Sequence, residues 1–291
     1  MAYRKGDRSR EGRVWPLLLP AFAVLACFGA VPMAINAWHS LFDVFTLQSK
    51  FWVGGEWYHD ILTSRRFYAS LGRSLGFSAA VLAVQLPLGV LIALALPRSG
   101  GVRTFGLILL AVPLMVPWNM IAPIWLSLID PQTGYLGRAL DWAGIAFDHR
   151  FNAVHTWILL VAMDTWHWVG LVAILACAGL AGVPPAYYQA AAIDQASRWG
   201  VFRHVELPRL WGVLSMAVLL RFMDSFMIYT EAFGINAGGP QGATTFLSLD
   251  LGEEIKAFDY GPAAARSVVY FALMLAILAA FRRAMTAGRA P

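Results

Sequence analysis

Residues 183–208 read VPPAYYQAAAIDQASRWGVFRHVELP, a polar segment between two long apolar stretches. Pro185 favours the start of a helix, because the first helical residue needs no backbone N–H donor. The alanine-rich sequence after it has high helix propensity, and Gly200 suits the end of that helix. At 100° per residue, one face carries mainly small side chains: Tyr187, Ala190, Ala191 and Asp194. This predicts a helix on which another protein could pack closely, although a membrane-surface helix or a solvated linker would show the same pattern.

The whole chain is too apolar for a soluble protein. Of its 291 residues, 59% are hydrophobic and 13% are charged, whereas charged residues make up about 25% of soluble domains. A helix needs about 20 mostly apolar residues to cross a bilayer. Six stretches qualify: 15–37, 75–96, 104–129, 154–180, 210–235 and 262–281. The sequence therefore predicts an all-α integral membrane protein with six transmembrane helices.

Charge predicts the orientation. The two tails and the connections after the second and fourth spans hold thirteen basic and four acidic residues, whereas the alternate loops hold seven basic and ten acidic. Basic residues collect in cytoplasmic loops, so we expect both termini to be cytoplasmic. The expected parts are a basic tail at 1–14, a six-helix transmembrane domain at 15–283 and a tail at 284–291. The first apolar run is longer than a typical signal-peptide core, which favours an uncleaved first helix.

The third span contains Pro113, Pro117 and Pro123. Each proline removes a backbone donor and tends to kink a helix, so a straight rod is not expected. Such a break lines a cavity in many transporters, and a bent helix buried in protein is the equal alternative.

Ionisable side chains at membrane depth are costly and by default indicate function. Asp164 and His167 share a face of the fourth span, and Arg221, Asp224 and Glu231 follow helical spacing on the fifth. Carboxylates accept the hydroxyl protons of sugars and polyols, and aromatic rings cover their C–H faces. The predicted substrate path is lined by Asp164, Trp166, His167, Trp168, Asp224, Phe226, Tyr229 and Glu231.

A purely structural role is the alternative for these polar residues. Arg221 and Asp224 would then form an ion pair within one helix, and Asp164 would bond His167. In either case Arg221 stands alone among three acids, whereas a phosphorylated or carboxylated substrate would require several basic donors. The pattern therefore favours a neutral substrate.

Residues 183–208 resemble the EAA loop of the membrane subunits of binding-protein-dependent ABC importers. That loop has the pattern Glu-Ala-Ala, a glycine four residues on, and then Ile-x-Leu-Pro. Gln189 stands at the glutamate position and Gln195 at the glycine position. Matching positions are held by Ala190, Ala191, Val205, Leu207 and Pro208. The segments FWVGGEWY at 51–58 and FDYG at 258–261 resemble the carbohydrate-uptake branch of the family, the maltose and glycerol type.

The resemblance implies the transmembrane domain of a type I ABC importer in a bacterial inner membrane, with alternating access driven by ATP. The loop would be a coupling helix docked on an ATPase subunit through Tyr187, Gln189, Ala190, Ala191, Asp194, Gln195, Ala196, Leu207 and Pro208. Within this family, residues 221–231, 244–248 and 261–265 are most similar to permeases of glycerol importers. Glycerol is therefore the first expected substrate.

The resemblance also implies partners. They are a second permease subunit in a heterodimer, two cytoplasmic ATPase subunits, and a periplasmic or lipid-anchored solute-binding protein that contacts loops 38–67 and 236–261. The chain has no Gly-x-x-x-x-Gly-Lys-Ser/Thr phosphate loop. We therefore expect no enzyme activity and no cofactor in this chain, with ATP and Mg held by the ATPase subunits. Membrane lipid is an expected partner, and nucleic acid is not.

A proton-coupled secondary transporter is the main alternative. Asp164, His167, Asp224 and Glu231 would then form a proton relay. That class predicts internal repeats with broken helices in both halves, and the sequence has no convincing repeat. A membrane-embedded enzyme is disfavoured because the sequence lacks metal-ligand spacing and a nucleophile motif.

Overall fold

The computed structural model of the protein describes residues 18–44 and 49–287. The chain divides into two compact units, one from Met1–Ser64 with Leu251–Leu273 and the other from Arg65–Asp250 with Met274–Pro291. The predicted tail at 1–14 and the last four residues of the predicted tail at 284–291 lie outside the described residues.

The first unit begins with helix α1 (Leu18–His39), which contains a π-helical turn and has no buried residue. Strands β1 (Phe42–Val44) and β2 (Lys50–Trp52) pair antiparallel, with Phe42 opposite Trp52. Helix α2 (Glu56–Thr63) follows, and its Trp57 Nε1 donates to the Phe42 carbonyl at 3.1 Å. This bond and the strand pairing organise the first unit around Phe42.

The second unit is a packed set of helices. The alanine- and glycine-rich faces of its two long helices allow close approach, because a Cβ at Gly89 would lie 2.6 Å from Val172 Cγ1. The helices are α3 (Arg65–Ala95), α4 (Gly101–Ala111), α5 (Trp118–Ile129), α6 (Tyr135–Trp142), α7 (Ala153–Ala181), α8 (Pro185–Ile193), α9 (Arg198–Phe226) and α10 (Thr230–Asn236). Helices α11 (Leu247–Lys256) and α12 (Tyr260–Ala287) contribute to both units.

Among the described residues, four helices are long and apolar enough to cross a membrane: Leu18–His39, Arg65–Ala95, Ala153–Ala181 and Tyr260–Arg283. Two bent pairs also pass when each pair is counted together. They are Gly101–Met115 with Trp118–Ile129, bent by 101°, and Arg198–Phe226 with Thr230–Asn236, bent by 40°. The number of spans reaches the predicted six if each bent pair is one span.

The break in the third span confirms that it is not a straight rod. Pro113 begins a short 3₁₀ turn and Pro117 is the extended residue before α5, so these two prolines bracket the bend. Pro123 lies inside α5 instead. The expectation of one continuous helix over 210–235 was wrong, because α9 ends at Phe226 and the chain turns before α10 begins at Thr230.

Candidate functional site

Three buried polar side chains tie three helices of the second unit together. Arg221 Nη2 on α9 donates to Asp164 Oδ2 on α7 at 2.5 Å. Gln85 Nε2 on α3 donates to the same oxygen at 2.5 Å, and Gln85 Oε1 accepts from Arg221 Nε at 2.9 Å. All three residues are at most 3% exposed. Sequence analysis missed Gln85, although an amide in the middle of an apolar span is a detectable signal.

Arg221 has further partners. Its Nη1 donates to Asp224 one turn along α9, and its guanidinium lies 4.5 Å from the centroid of the Trp168 ring. The ion pair within one helix is therefore confirmed. The proposed bond from Asp164 to His167 was wrong, because Asp164 accepts from Gln85 and Arg221, and His167 Nδ1 is buried with no hydrogen-bond partner among the described residues. The arginine side chain is longer than that of histidine, so Arg221 can reach the Asp164 carboxylate from another helix.

A small pocket of about 100 Å³ opens beside this cluster. The break after Phe226 shapes it, because five consecutive residues, 227–231, all reach its wall. A continuous helix would turn some of these five side chains away from the pocket. The pocket is lined by Trp118, Asp164, Trp168, Asp224, Met227, Ile228, Tyr229, Thr230 and Glu231.

The structure brings five of the eight predicted path residues to this pocket: Asp164, Trp168, Asp224, Tyr229 and Glu231. The other three lie elsewhere. Trp166 packs edge-on against Trp125 with ring centroids 6.1 Å apart, and it lines a separate apolar groove. His167 is 1% exposed, and Phe226 is fully buried and stacked on Phe222. The pocket adds Trp118, which the sequence did not single out because it comes from another span.

The predicted coupling helix begins at Pro185, as expected, but it ends at Ile193 rather than near Gly200. Gln195 adopts the left-handed conformation with φ of 51°, and the Ala196 N–H donates to the Ala191 carbonyl at 2.9 Å. Ser197 then starts α9, since its Oγ accepts from the Gly200 N–H at 3.1 Å. The glycine position of the sequence pattern is therefore a left-handed helix end, here occupied by glutamine.

This segment is open on its outer side and anchored at its base. Ile193 is 82% exposed and Trp199 66%. Beneath them, buried Glu206 accepts from Arg198 Nη1 at 2.6 Å and from the Tyr188 hydroxyl at 3.3 Å. Burial, together with the charge of Glu206, raises the pKa of Tyr188. Of the nine predicted coupling residues, Ala191 and Leu207 are half-buried, and the exposed ones are Tyr187, Gln189, Ala190, Asp194, Gln195, Ala196 and Pro208.

The chain is similar to known transport proteins. Residues 85–287 match the family described as a binding-protein-dependent transport system inner membrane component. The trehalose/maltose transport system permease protein MalF of Thermococcus litoralis is 29% identical over 269 residues, covering 91% of each chain. The sn-glycerol-3-phosphate transport system permease protein UgpA of Yersinia pestis is 30% identical over 272 residues, covering 90% of each.

The fold also has a solved counterpart. A bacterial ABC transporter involved in the import of the acidic polysaccharide alginate matches with a TM-score of 0.80 at 19% identity. The match covers 97% of this chain and 98% of the other. At this identity the match establishes a shared fold.

Proposed function

The chain belongs to the family of binding-protein-dependent transport system inner membrane components, and we propose that it carries a neutral sugar or polyol across the membrane. Family membership makes it a multi-pass permease subunit of an ABC importer, with no ATPase site of its own, that works with a solute-binding protein. The alternative of a proton-coupled secondary transporter is set aside, because energy in this family comes from partner ATPase subunits.

The charge of the pocket supports a neutral cargo. Three carboxylates line it: Asp164, Asp224 and Glu231. The Arg221 guanidinium forms ion pairs with Asp164 and Asp224. A phosphate or carboxylate would meet an excess of negative charge there, whereas hydroxyl groups can donate to each carboxylate. The relative that transports sn-glycerol-3-phosphate is 30% identical overall, but a site of this charge disfavours such a cargo. Trehalose and maltose, named for the other relative, satisfy the charge requirement.

The size of the pocket favours a small cargo. Its volume of about 100 Å³ lies below the roughly 300–1,000 Å³ of pockets that enclose drug-sized ligands. A three-carbon polyol such as glycerol suits this volume, and a disaccharide would need further walls from a second permease. Trp118, Trp168 and Tyr229 supply the aromatic faces that cover C–H surfaces. Glycerol therefore remains the first candidate, and trehalose and maltose are the next.

We propose that α8 couples transport to ATP. Its outer face is exposed, and the hydrogen bonds of Glu206 to Tyr188 and Arg198 hold its inner side in place. Such a helix can dock on a cytoplasmic ATPase subunit and transmit the movement of that subunit to α7 and α9. The transition is then a rigid-body switch between inward-facing and outward-facing states. Both termini lie in the cytoplasm in this arrangement, a second permease completes a heterodimer, and loops 38–67 and 236–261 receive the binding protein.

The test is the ATPase activity of the complete assembly in lipid with its binding protein. Glycerol, sorbitol, trehalose, maltose and sn-glycerol-3-phosphate are each added at saturation. We expect a neutral ligand to stimulate ATP hydrolysis and the phosphate ester to have no effect. Asp224→Asn and Glu231→Gln should abolish that stimulation while basal hydrolysis remains.

Asp141→Asn is the matched control, because Asp141 is an exposed acid away from the pocket. Stimulation that survives both pocket variants would move substrate recognition to the partner permease or the binding protein. Stimulation by the phosphate ester alone would contradict the neutral-cargo proposal.

A further inference from the structure

A second, larger cavity lies at the base of the coupling segment. Its volume is about 660 Å³, and three arginines, Arg98, Arg103 and Arg198, stand on its wall with Glu206. Its floor is apolar and includes Ala93, Leu96, Cys177, Leu180 and Val201. The cavity therefore combines a cationic rim with a hydrophobic interior.

The positive charge of this cavity is not neutralised within the described residues. Arg198 pairs with Glu206 at 2.6 Å. Arg98 lies 3.7 Å from the centroid of the Tyr188 ring, and Arg103 Nη1 donates to the Arg98 carbonyl at 2.5 Å. Neither of these two arginines pairs with a carboxylate in the part of the chain that the structure describes, so two guanidinium charges remain for an anion.

An apolar groove adjoins the cavity. The groove has a volume of about 620 Å³ and shares Leu94 and Arg198 with the cavity. It follows α3 from Pro87 to Ala95, a length of roughly 12 Å at 1.5 Å per residue. This stretch belongs to a helix long and apolar enough to span the membrane, and Leu91 in the groove is 62% exposed. The groove is therefore placed to face hydrocarbon.

We propose that the cavity and groove together bind one anionic phospholipid of the cytoplasmic leaflet, with its phosphate between Arg98 and Arg103 and one acyl chain along Pro87–Ala95. Basic pockets between membrane helices on the cytoplasmic side are a recurrent form of anionic lipid site. Trp199 flanks the groove and is 66% exposed, as suits an aromatic residue at the membrane interface. The proposal rests on the proposed orientation, with residues 183–208 in the cytoplasm.

The site has a consequence for transport. Tyr188 and Pro185 of the coupling helix line the same cavity, and Arg98 contacts the Tyr188 ring. A bound phosphate would hold Arg98 against this ring and brace the base of α8. The lipid therefore acts as a structural part of the coupling machinery, and its loss should lower ATPase stimulation by substrate without changing which substrate is recognised.

The experiment measures lipid retention directly, without substrate, nucleotide or binding protein. The purified assembly is placed in nanodiscs of phosphatidylcholine with a minor fraction of phosphatidylglycerol. The lipids that stay bound when the assembly is released from the nanodisc are counted by native mass spectrometry. Arg98→Gln with Arg103→Gln should weaken phosphatidylglycerol retention by roughly thirty-fold, since each basic residue near the surface contributes about a factor of five. Arg103→Gln alone should give roughly five-fold, and serves if the double variant fails to assemble.

Arg203→Gln is the matched control, because it removes the same charge from an exposed position of the same segment outside the cavity lining. Equal retention in the control and cavity variants would overturn the proposal. Release of the lipid by millimolar inorganic phosphate or by glycerophosphoglycerol would also overturn it, since the ligand would then be a soluble phosphate. If phosphatidylglycerol retention changes as expected but no substrate stimulates ATP hydrolysis, the lipid site stands and only the proposed function is contradicted.

Discussion

Asp164 and Arg221 lie 57 residues apart in the sequence, yet their buried side chains form an ion pair with an Nη2 to Oδ2 distance of 2.5 Å. The pair joins α7 to α9, and Gln85 on α3 bonds both partners. Two charges have thus been removed from water and from lipid at the centre of three helices. Such a pair is tolerated only when each partner is fully hydrogen-bonded.

Breaking this pair should destabilise the helices strongly. In Asp164→Asn, Arg221 keeps Asp224 but loses its buried partner, and we expect a loss of about 3 kcal/mol in the free energy of unfolding. Asp224→Asn should cost less, because the Asp224 side chain is 32% exposed. Denaturation of the purified assembly measures both, and equal losses would contradict the central role of the buried pair.

Gln195 should be sensitive to the shape of its replacement. A left-handed residue other than glycine carries about 1–2 kcal/mol of strain, so Gln195→Gly should stabilise α8 slightly and preserve coupling. Gln195→Val should weaken coupling, because a β-branched side chain fits this conformation worst. The measurement is hydrogen exchange over 185–206 together with substrate-stimulated ATPase activity. A valine variant that matches the wild type would refute the left-handed helix end.

The exposed face of α8 should be intolerant of charge. Ala190→Asp places a carboxylate on the face that the proposed ATPase subunit covers, and Ala191→Gly loosens the helix there. Both should leave basal ATP hydrolysis in place and remove its stimulation by substrate and binding protein. Ala192→Asp is the control, since Ala192 is also exposed but points about 100° away from Ala191. Uptake that persists in Ala190→Asp would argue against docking through this face.

Gly170 is required by a close backbone approach. A Cβ at this position would lie 2.0 Å from the Leu110 carbonyl oxygen, so Gly170→Ala must displace α4 from α7 at a cost of about 2 kcal/mol. Gly72→Ala on α3 is the comparison, because no atom of 18–44 or 49–287 outside its own helix backbone and chain neighbours lies within 4 Å of the added Cβ. That variant should gain up to about 1 kcal/mol from helix propensity. Thermal unfolding of the two variants should therefore shift in opposite directions.

The loop before α7 should loosen in mild acid. Burial first, and then the positive charge of Arg150, lowers the pKa of His149 below its usual 6.5. The folded loop therefore binds fewer protons than the unfolded loop, so its stability is present above pH 6.5 and falls as the pH drops below that value. The His149 carbonyl accepts from Thr156 Oγ1 at 2.6 Å and from Asn236 Nδ2 at 3.3 Å, and loosening would weaken both bonds.

Hydrogen exchange over 143–152 at pH 7 and pH 5.5, corrected for the intrinsic rate, measures this effect. Protection should fall at the lower pH in the wild type and stay constant in His149→Gln. A wild-type loop with equal protection at both pH values would exclude His149 as the cause.

Sequence reasoning was successful where the signal is local or periodic. Apolar runs located the helices that are long and apolar enough to cross a membrane, and Pro113 and Pro117 located the bend between α4 and α5. Reasoning from one helix failed where contacts join different helices. The amide of Gln85 stands out within an apolar span, but its partners cannot be read from the sequence. Only the packing of α3, α5, α7 and α9 brings Gln85 to Asp164 and Arg221, and Trp118 to the pocket.

The break after Phe226 was missed because the polar stripe continues through it. Arg221, Asp224 and Glu231 keep helical spacing in the sequence, although Glu231 belongs to a separate helix. No proline or glycine marks residues 227–229, so tertiary packing determines this turn. The same break brings Tyr229 and Thr230 to the pocket wall.

The backbone at Gln195 also has a consequence for how such chains are found. A left-handed φ of 51° without glycine means that the glycine of the loop pattern is an energetic preference worth about 1–2 kcal/mol and not a requirement. A motif search that insists on this glycine, and on the glutamate replaced by Gln189, would reject this chain. Genome surveys that score the left-handed helix end and the Leu207-Pro208 pair instead would retain it and permeases with the same two exchanges.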